Sequence, residues 1–389
     1  MISAKIAAIA ISIVVCGSAV AYFAVIDNGE RDGAIQIVDG SGKTITLSEP
    51  LTGVVTVNTN VPKAMKVLGL TDELKGLSFY ASAAKELEDW AKYGPMFPNA
   101  KHMYEARALT AESVIEETGC RYIIAPVTSM TLNAGQETQC NELGITVIRL
   151  DCFGDSALED LEKLTILFGE SKNTKMMNAY QSYLDMYNGV VNTVKAAGAA
   201  SGKADKTFLY IRGTSGESFY NQTSEGSLMI EQIYGMNALR NVGLKSANLT
   251  GPTTSGADGI REVVVKEDQD NGIDKVFIRG SGSTDPGLGS TASRGALGIW
   301  EYSKLSEYSL RAAAANEVYV FNTNIMSGML SFVAWVAIAE VCGIDTGLDI
   351  AELITAYNTT YGFDEVTYGF VFKMVNGGTS NVGFVEKII

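Results

Sequence analysis

The sequence predicts an α/β protein: two Rossmann-like lobes with central parallel sheets, joined by a long rigid α-helix. Three observations carry this expectation. Short apolar runs of strand character alternate with helix-period segments from Gly53 to Asp151. A proline-free stretch with helical spacing and no strand signal follows, and the alternation restarts at Lys206. Alternation of this kind implies parallel strands with helices on both faces.

The elements follow in order. Ile35 to Leu47 alternates around Asp39-Gly40-Ser41-Gly42 and predicts a β-hairpin. Gly53–Asn60 is a buried strand running into polar residues, and Val61, Met65 and Leu68 then share one helical face. A strand ending at Tyr80, a helix from Leu109 to Gly119 and a strand from Cys120 to Val127 come next. A helix around Glu137 to Leu143 leads into the strand ending at Asp151. Residues 173–198 predict a helix roughly 40 Å long at about 1.5 Å per residue, a strut rather than a flexible linker. Further strands are expected at Lys206–Gly213, Asp274–Gly280 and Glu317–Asn322, then an apolar helix from Met329 to Cys342 and a helical C-terminus. The expected organisation is 1–33 signal peptide or N-terminal membrane anchor, 34–155 N-terminal lobe, 156–202 helical strut and 203–389 C-terminal lobe.

The first segment is uncharged from Ile6 to Ile26, after Lys5 and before Asp27, Glu30 and Asp32, which suits a span with its positive end inside. Ala19-Val20-Ala21 offers a signal cleavage site, retention as an anchor is the alternative, and Val15 before Cys16 argues against lipidation. Either fate places the body outside the cytoplasm, membrane-anchored or secreted.

Composition narrows the function. With 44 acidic against 30 basic residues, the chain lacks the excess of Lys and Arg that a phosphate backbone requires, so no nucleic acid is expected. His102 is the single histidine and no C-x-x-C occurs, which removes His-rich and zinc-ribbon metal sites; no metal or cofactor is expected. Cys120, Cys140, Cys152 and Cys342 leave the disulfide state open. Gly40-Ser41-Gly42-Lys43-Thr44 resembles a phosphate loop, but Ile37 stands where its first glycine belongs. No nucleophile elbow is present and Gly280-Ser281-Gly282 lacks the third glycine of a dinucleotide fingerprint, so an enzyme is not expected. Asn221, Asn248 and Asn358 begin possible glycosylation sequons.

A weak internal repeat relates Leu109–Ile124 to Gly259–Ile278. Each copy places a glutamate, Glu112 or Glu262, at the start of an acidic helix that feeds a buried strand. The opening pattern Val38, Asp39, Gly42, Leu47 followed by a strand resembles the class III substrate-binding proteins of ABC importers, which serve ferric siderophores, haem and cobalamin. The likeness continues through VLGLTDELKGLSFY, the acidic helix before CRYIIAP, the strut and the second lobe. Thr52-Gly53 replace the usual arginine before the first strand, and the Gly-rich stretch from Gly280 to Gly298 is longer.

That resemblance implies an extracytoplasmic solute-binding component that captures an iron chelate or related metal complex. It implies an ABC permease and its ATPase as partners, with Glu112 and Glu262 docking onto permease arginines. The alternative is a membrane-anchored sensory or adhesive ectodomain of the same fold. Ligands of open α/β sheets sit beyond the carboxyl ends of the strands. Those ends offer Asn58, Thr59, Asn60, Phe79, Tyr80, Thr128, Ser129 and Met130 in the first lobe. The second offers Arg212, Tyr220, Arg279, Ser281, Met326 and Ser327. Both arginines stand in an Ile-Arg-Gly triplet, where a guanidinium fork suits an anionic chelate; pairing with a carboxylate within the lobe is the alternative. Phe79, Tyr80, Tyr104 and Tyr220 could stack a planar ligand. His102 could be an axial ligand to a haem or corrin metal; a surface histidine is the plainer reading.

Overall fold

Apolar runs such as Val54-Val55 and Ile123-Ile124 lie in central strands and are wholly buried, each side chain contributing about 1.5–3 kcal/mol. The computed structural model describes residues 34–79, 87, 90–105, 109–127, 132–170, 173–202, 206–214, 216–220, 224–240, 248–250, 260–280, 308–365, 370–376 and 382–387. The chain divides into two compact units, with the division between Gly189 and Val190.

Unit 1 opens on the expected hairpin, β1 (Ile35–Val38) with β2 (Thr44–Leu47), in the register Val38↔Thr44. Its turn is built on Asp39, whose Oδ1 accepts from the Ser41 and Lys43 amides and the Ser41 hydroxyl. The main sheet contains β3 (Val54–Thr56), β4 (Leu74–Phe79), β5 (Lys101–Glu105), β6 (Tyr122–Ala125) and β7 (Thr146–Arg149). The order is β5-β4-β3-β6-β7 with every pair parallel. The chain therefore winds outward from β3 to β5, then reverses at β6, which creates a topological switch point between β3 and β6.

The connecting helices begin where capping residues satisfy their first amides. Helix α1 (Asn60–Val67) starts after Asn58, whose Oδ1 accepts from the Asn60 and Val61 amides. Helix α2 (Ala111–Thr118) has a Thr110–Ser113 capping box and ends at Gly119 in the left-handed region. Helix α3 (Ala134–Glu142) has an Asn133–Gln136 box. Helix α4 (Ala157–Leu167) precedes α5 (Thr174–Ala200), a single helix of 27 residues. Met176, Tyr183, Tyr187, Val190, Val194 and Gly198 form one buried stripe along it. At Gly198 a Cβ would stand 3.0 Å from the Ile233 carbonyl oxygen, so a glycine suits this approach.

Unit 2 is built on β8 (Thr207–Thr214), β9 (Gly216–Tyr220), β10 (Met236–Asn237), β11 (Asn248–Thr250), β12 (Lys275–Arg279), β13 (Val318–Phe321), β14 (Val371–Asn376) and β15 (Val382–Lys387). The order is β11-β9-β8-β12-β13-β14-β15, with β10 beside β8. Strands β8, β10, β12 and β13 pair in parallel, whereas β9, β11, β14 and β15 join antiparallel. Helices α6 (Glu225–Ile233) and α7 (Ile260–Asp270) and the short α8 (Arg311–Ala314) and α9 (Thr323–Met326) lie between strands. Helix α10 (Ser331–Val341) is buried at every residue except Glu340, and α11 (Ile350–Tyr361) follows. No described helix is long and apolar enough to cross a membrane, and residues 6–26 lie outside the described residues.

Two expectations need correction. The C-terminus is not helical to its end: β14 and β15 form an antiparallel pair after α11, and Phe372 and Met374 enter the sheet core. Strand β8 does not stop at Gly213; it runs to Thr214 and turns back into β9, because Arg212 pairs in register with Ser218.

Candidate ligand-binding site

The switch point of the unit 1 sheet gathers the loop after β3, residues 57–59, and the start of the connection after β6. Asn58, Thr59 and Asn60 are half-buried there, at the mouth of α1. The Asn58 side-chain oxygen is committed to the helix cap, and Thr59 makes no capping bond with its side chain. Aligned amides at that helix start carry partial positive charge.

Phe79 does not reach this surface. It is 1% exposed and packs against Tyr93 and His102 at ring-centroid distances of 6.4 and 6.2 Å, so its ring belongs to the core. His102 is half-buried in β5, not a surface histidine, with its ring stacked on Trp90 at 4.7 Å. Tyr80, Thr128, Ser129 and Met130 lie outside the described residues, as does the side chain of Tyr104.

A network absent from the sequence reading occupies the same edge. Arg149, the last residue of β7, is 6% exposed. Its guanidinium donates to the Pro126 and Leu132 carbonyls, both at 2.8 Å, and pairs with Glu137 at 2.5 Å. Asp39 accepts the Arg149 amide at 3.0 Å, and the Gly40 amide donates to the Arg149 carbonyl at 2.7 Å. A Cβ on Gly40 would sit 3.1 Å from that carbonyl oxygen and 2.5 Å from Val127, so the close approach requires glycine. Asp151 accepts the Val127 amide at 2.9 Å, and burial raises the pKa of its carboxyl. The signal was an arginine inside the apolar run Val147-Ile148-Arg149-Leu150, where a charge must find partners.

In unit 2, Arg279 ends β12 half-buried and is the register partner of Arg212 in β8. Arg279 hydrogen-bonds the hydroxyl of Tyr210, whose pKa burial drives far upward while the guanidinium opposes the shift. Tyr210 is fully buried and stacks on Tyr220 at 4.6 Å, against the start of α6 where a Cβ on Gly226 would collide with its ring. Tyr220 is itself 7% exposed, and its carbonyl accepts from Asn237, which also donates to Ser227. Met326 and Ser327 are buried beyond β13, the methionine 2% exposed. Nothing is described of the Arg212 side chain or of Ser281. Tyr210 and Asn237 were missed because a tyrosine and an asparagine within short strands carry no distinctive spacing.

Glu112 and Glu262 stand exposed in the first turns of α2 and α7. Each helix feeds a strand flanked on both sides by parallel neighbours, β6 and β12 respectively.

A cavity of about 410 Å³ opens at the opposite, amino edge of the unit 2 sheet, lined in part by Tyr234, Asp274, Lys275, Arg311 and Glu317. Most of its charged side chains bond within the unit: Lys275 with Glu317, Asp274 with the Thr207 amide and Arg311 with the Gln269 carbonyl. It therefore reads as a groove within the packing rather than a solute site. Among the described residues no cluster of three or more His, Cys, Asp or Glu could hold a metal ion. Cys120, Cys140, Cys152 and Cys342 are free thiols. Asn358 bonds Glu365 through both ends of its amide, which leaves it unsuited to glycosylation.

The sequence matches no family model and no curated protein. The structure matches the TroA-like periplasmic binding protein FepB of Veillonella parvula at TM-score 0.58 and 14% identity, over 91% of this chain and 100% of that one. The fold is that of the TroA-like periplasmic binding proteins. Other periplasmic binding proteins superpose at comparable levels. The molybdate-bound periplasmic binding protein MolA of Haemophilus influenzae gives a TM-score of 0.58 at 11% identity, covering 85% of this chain and 99% of that one. Ceue of Helicobacter pylori, solved with Ni(II) bound, gives 0.55 at 14% identity, covering 86% and 98%. The TroA-like architecture thus extends through both units, and at these identities the likeness concerns the fold.

Proposed function

We propose that this chain is the extracytoplasmic solute-binding component of an ABC importer, which captures a metal complex and delivers it to a permease. The observation that carries this reading is the match to TroA-like proteins along nearly the whole length of both chains. The relatives carry FepB, a molybdate-bound and a Ni(II)-bound protein among their descriptions. An iron chelate, siderophore-like or haem-like, is the solute class we favour; cobalamin belongs to the same panel. In this reading residues 34–155 and 203–389 are the two lobes and 156–202 the strut. The N-terminal segment would tether or export the body.

The candidate solute contacts of each unit stand at the carboxyl edge of its own parallel strands, Asn58 to Asn60 in unit 1 and Arg279 in unit 2. Arg279 is already bonded to Tyr210, so it would offer a donor fixed in place by a buried tyrosine. Glu112 and Glu262, exposed and equivalently placed, would meet cationic side chains of the permease, a fit helped by the formal charge of −14.

The test is thermal unfolding of the full chain with a ferric catecholate, haem, cobalamin, Ni(II) and molybdate. A solute at 100 times its Kd stabilises by about 2.7 kcal/mol. The expected result is a shift with one chelate that shrinks in an Arg212→Ala, Arg279→Ala variant. A flat response across the panel would turn the reading towards a sensory or adhesive ectodomain.

A further inference from the structure

Lys275, Phe277 and Arg279 alternate onto one face of β12. The register places Tyr210 of β8 opposite Phe277, so Tyr210 and Arg279 are diagonal neighbours on that face, two residues apart along adjacent parallel strands. The Arg279 guanidinium bonds the Tyr210 hydroxyl there. The face thus carries a cation at each end of the strand, and the two are met differently. Lys275, at the amino end, pairs with the Glu317 carboxylate. Arg279, at the carboxyl end, is bonded to a phenol. Burial drives the pKa of that phenol far upward and keeps it neutral, so it directs the guanidinium while adding no negative charge.

A second observation concerns what holds the phenol. Tyr210 stacks on Tyr220, its register partner in β9, at a ring-centroid distance of 4.6 Å. A Cβ on Gly226 would collide with both the ring and the hydroxyl, so the first turn of α6 closes on Tyr210 and leaves it no room to swing. Asn237, 1% exposed, ties these two walls together. Its side-chain amide donates to the Tyr220 carbonyl and to the Ser227 hydroxyl, both at 2.9 Å. The phenol is therefore fixed by β9 and α6, and the guanidinium by the phenol.

We propose that Tyr210 is a positioning residue for the solute site: it aims the Arg279 guanidinium at the carboxyl edge of the unit 2 sheet, where the fork takes a pair of anionic oxygens of the solute. This rests on the solute-binding reading above, but what Tyr210 holds can be measured with no solute present. A guanidinium spans two oxygens of a carboxylate or similar group in one plane. A fork held in that place beforehand loses less freedom on binding.

The experiment compares the full chain with its Tyr210→Phe and Arg279→Lys variants. Nitrogen-15 NMR reads the exchange of guanidinium protons with water, the Arg279 signal being assigned by its loss in Arg279→Lys. Affinity is read for whichever of a ferric catecholate, haem or molybdate stabilises the wild type, with a neutral ferric trihydroxamate beside them. Tyr210→Phe keeps the stacked ring, so Tm should fall by only about 2–4 °C. Exchange at Arg279 should rise by about tenfold, and affinity for the anionic probe should fall by about tenfold. Arg279→Lys, which keeps the charge but not the planar fork, should lower the affinity at least as far. Unchanged Arg279 exchange in Tyr210→Phe overturns the proposal. So does raised exchange with unaltered affinity, or a loss of affinity in Tyr210→Phe that Arg279→Lys does not share. Stabilisation of the wild type by the neutral trihydroxamate alone overturns the anionic assignment and leaves the solute-binding reading intact. If no probe stabilises the wild type, that reading fails, while the Arg279 exchange still decides what Tyr210 holds.

Discussion

The sheet of unit 1 is parallel throughout, whereas that of unit 2 keeps a parallel centre and extends it on both sides with antiparallel strands. A parallel sheet needs cover on both faces, so its strands read as unbroken apolar runs. Unit 1 ends its β7 edge with the small hairpin, through the backbone bond from Gly40 to Arg149. Unit 2 adds β9 and β11 beyond β8, and β14 and β15 beyond β13. Their chemistry differs to match. The carboxyl edge of unit 1 is organised by charge, through Asp39, Arg149 and Glu137. In unit 2 the edge residue Arg279 is bonded to Tyr210, which stacks on Tyr220 within the sheet. The same winding can therefore be finished by an ionic clamp or by an aromatic wall.

The largest effects should come from the buried aromatics on the two sides of this comparison. Phe79→Ala and Tyr210→Ala should each cost about 3–5 kcal/mol. Exchange protection should fall in the strands of the unit that carries the change, β4 in one case and β8 in the other. A Phe79→Ala variant with normal stability and weakened binding would place that ring in the solute site instead of the core.

A smaller effect is expected at the ionic clamp. Asp39→Asn retains an oxygen for the turn amides but loses the second acceptor, leaving the buried Arg149 amide unmet. The expected loss is about 1–3 kcal/mol by denaturant titration. A neutral result would show that the hairpin does not help to hold β7.

Asp151 gives a test with a definite sign. Burial raises its carboxyl pKa in the fold, so its ionised form is disfavoured there relative to the unfolded chain. Its contribution to stability is present below the unfolded value and is lost as pH rises through the folded one. Asp151→Asn keeps an oxygen for the Val127 amide. It should raise Tm at pH 7, with the gain vanishing below the ordinary carboxylate range. A lower Tm at pH 7 would mean that the charge of Arg149 outweighs desolvation at this position.

The smallest effects belong to the exposed glutamates. Glu112→Gln and Glu262→Gln should each change stability by less than about 0.5 kcal/mol. A larger loss would reveal an intramolecular role in place of docking.

The parallel half of the architecture was legible in the sequence because buried strands such as those with Val54-Val55 and Val276–Ile278 are apolar whichever face they present. The stripe along α5 was legible for a similar reason, since its large side chains recur with the helical period over the whole length. Strand β5 was not, because Lys101-His102-Met103-Tyr104-Glu105 is polar on an edge and alternates only weakly. Strands β14 and β15 were overlooked although Asn376-Gly377-Gly378 separates two β-branched runs, a turn signal of the usual chemistry. At the candidate site, loops after strands could be located, but burial could not: Phe79 and Met326 follow the right strands and still face inward. Arg149 was missed because its partners lie 23 residues before it, 17 before it and 12 before it, a convergence that no local window contains.

The four free thiols have a practical consequence. Cys120, Cys140 and Cys152 are sealed in unit 1, and burial pushes the Cys140 thiol up to about 11. Cys342, only partly covered, is the single reporter in unit 2 among the described residues, pushed up to about 12 by burial. Maleimide capture at these four positions would then time the opening of each unit separately, with Cys120, Cys140 and Cys152 reporting on the first and Cys342 on the second once the label on Cys16 is counted apart. The chain carries its own stopwatch, and no engineered probe is needed to ask which half gives way first.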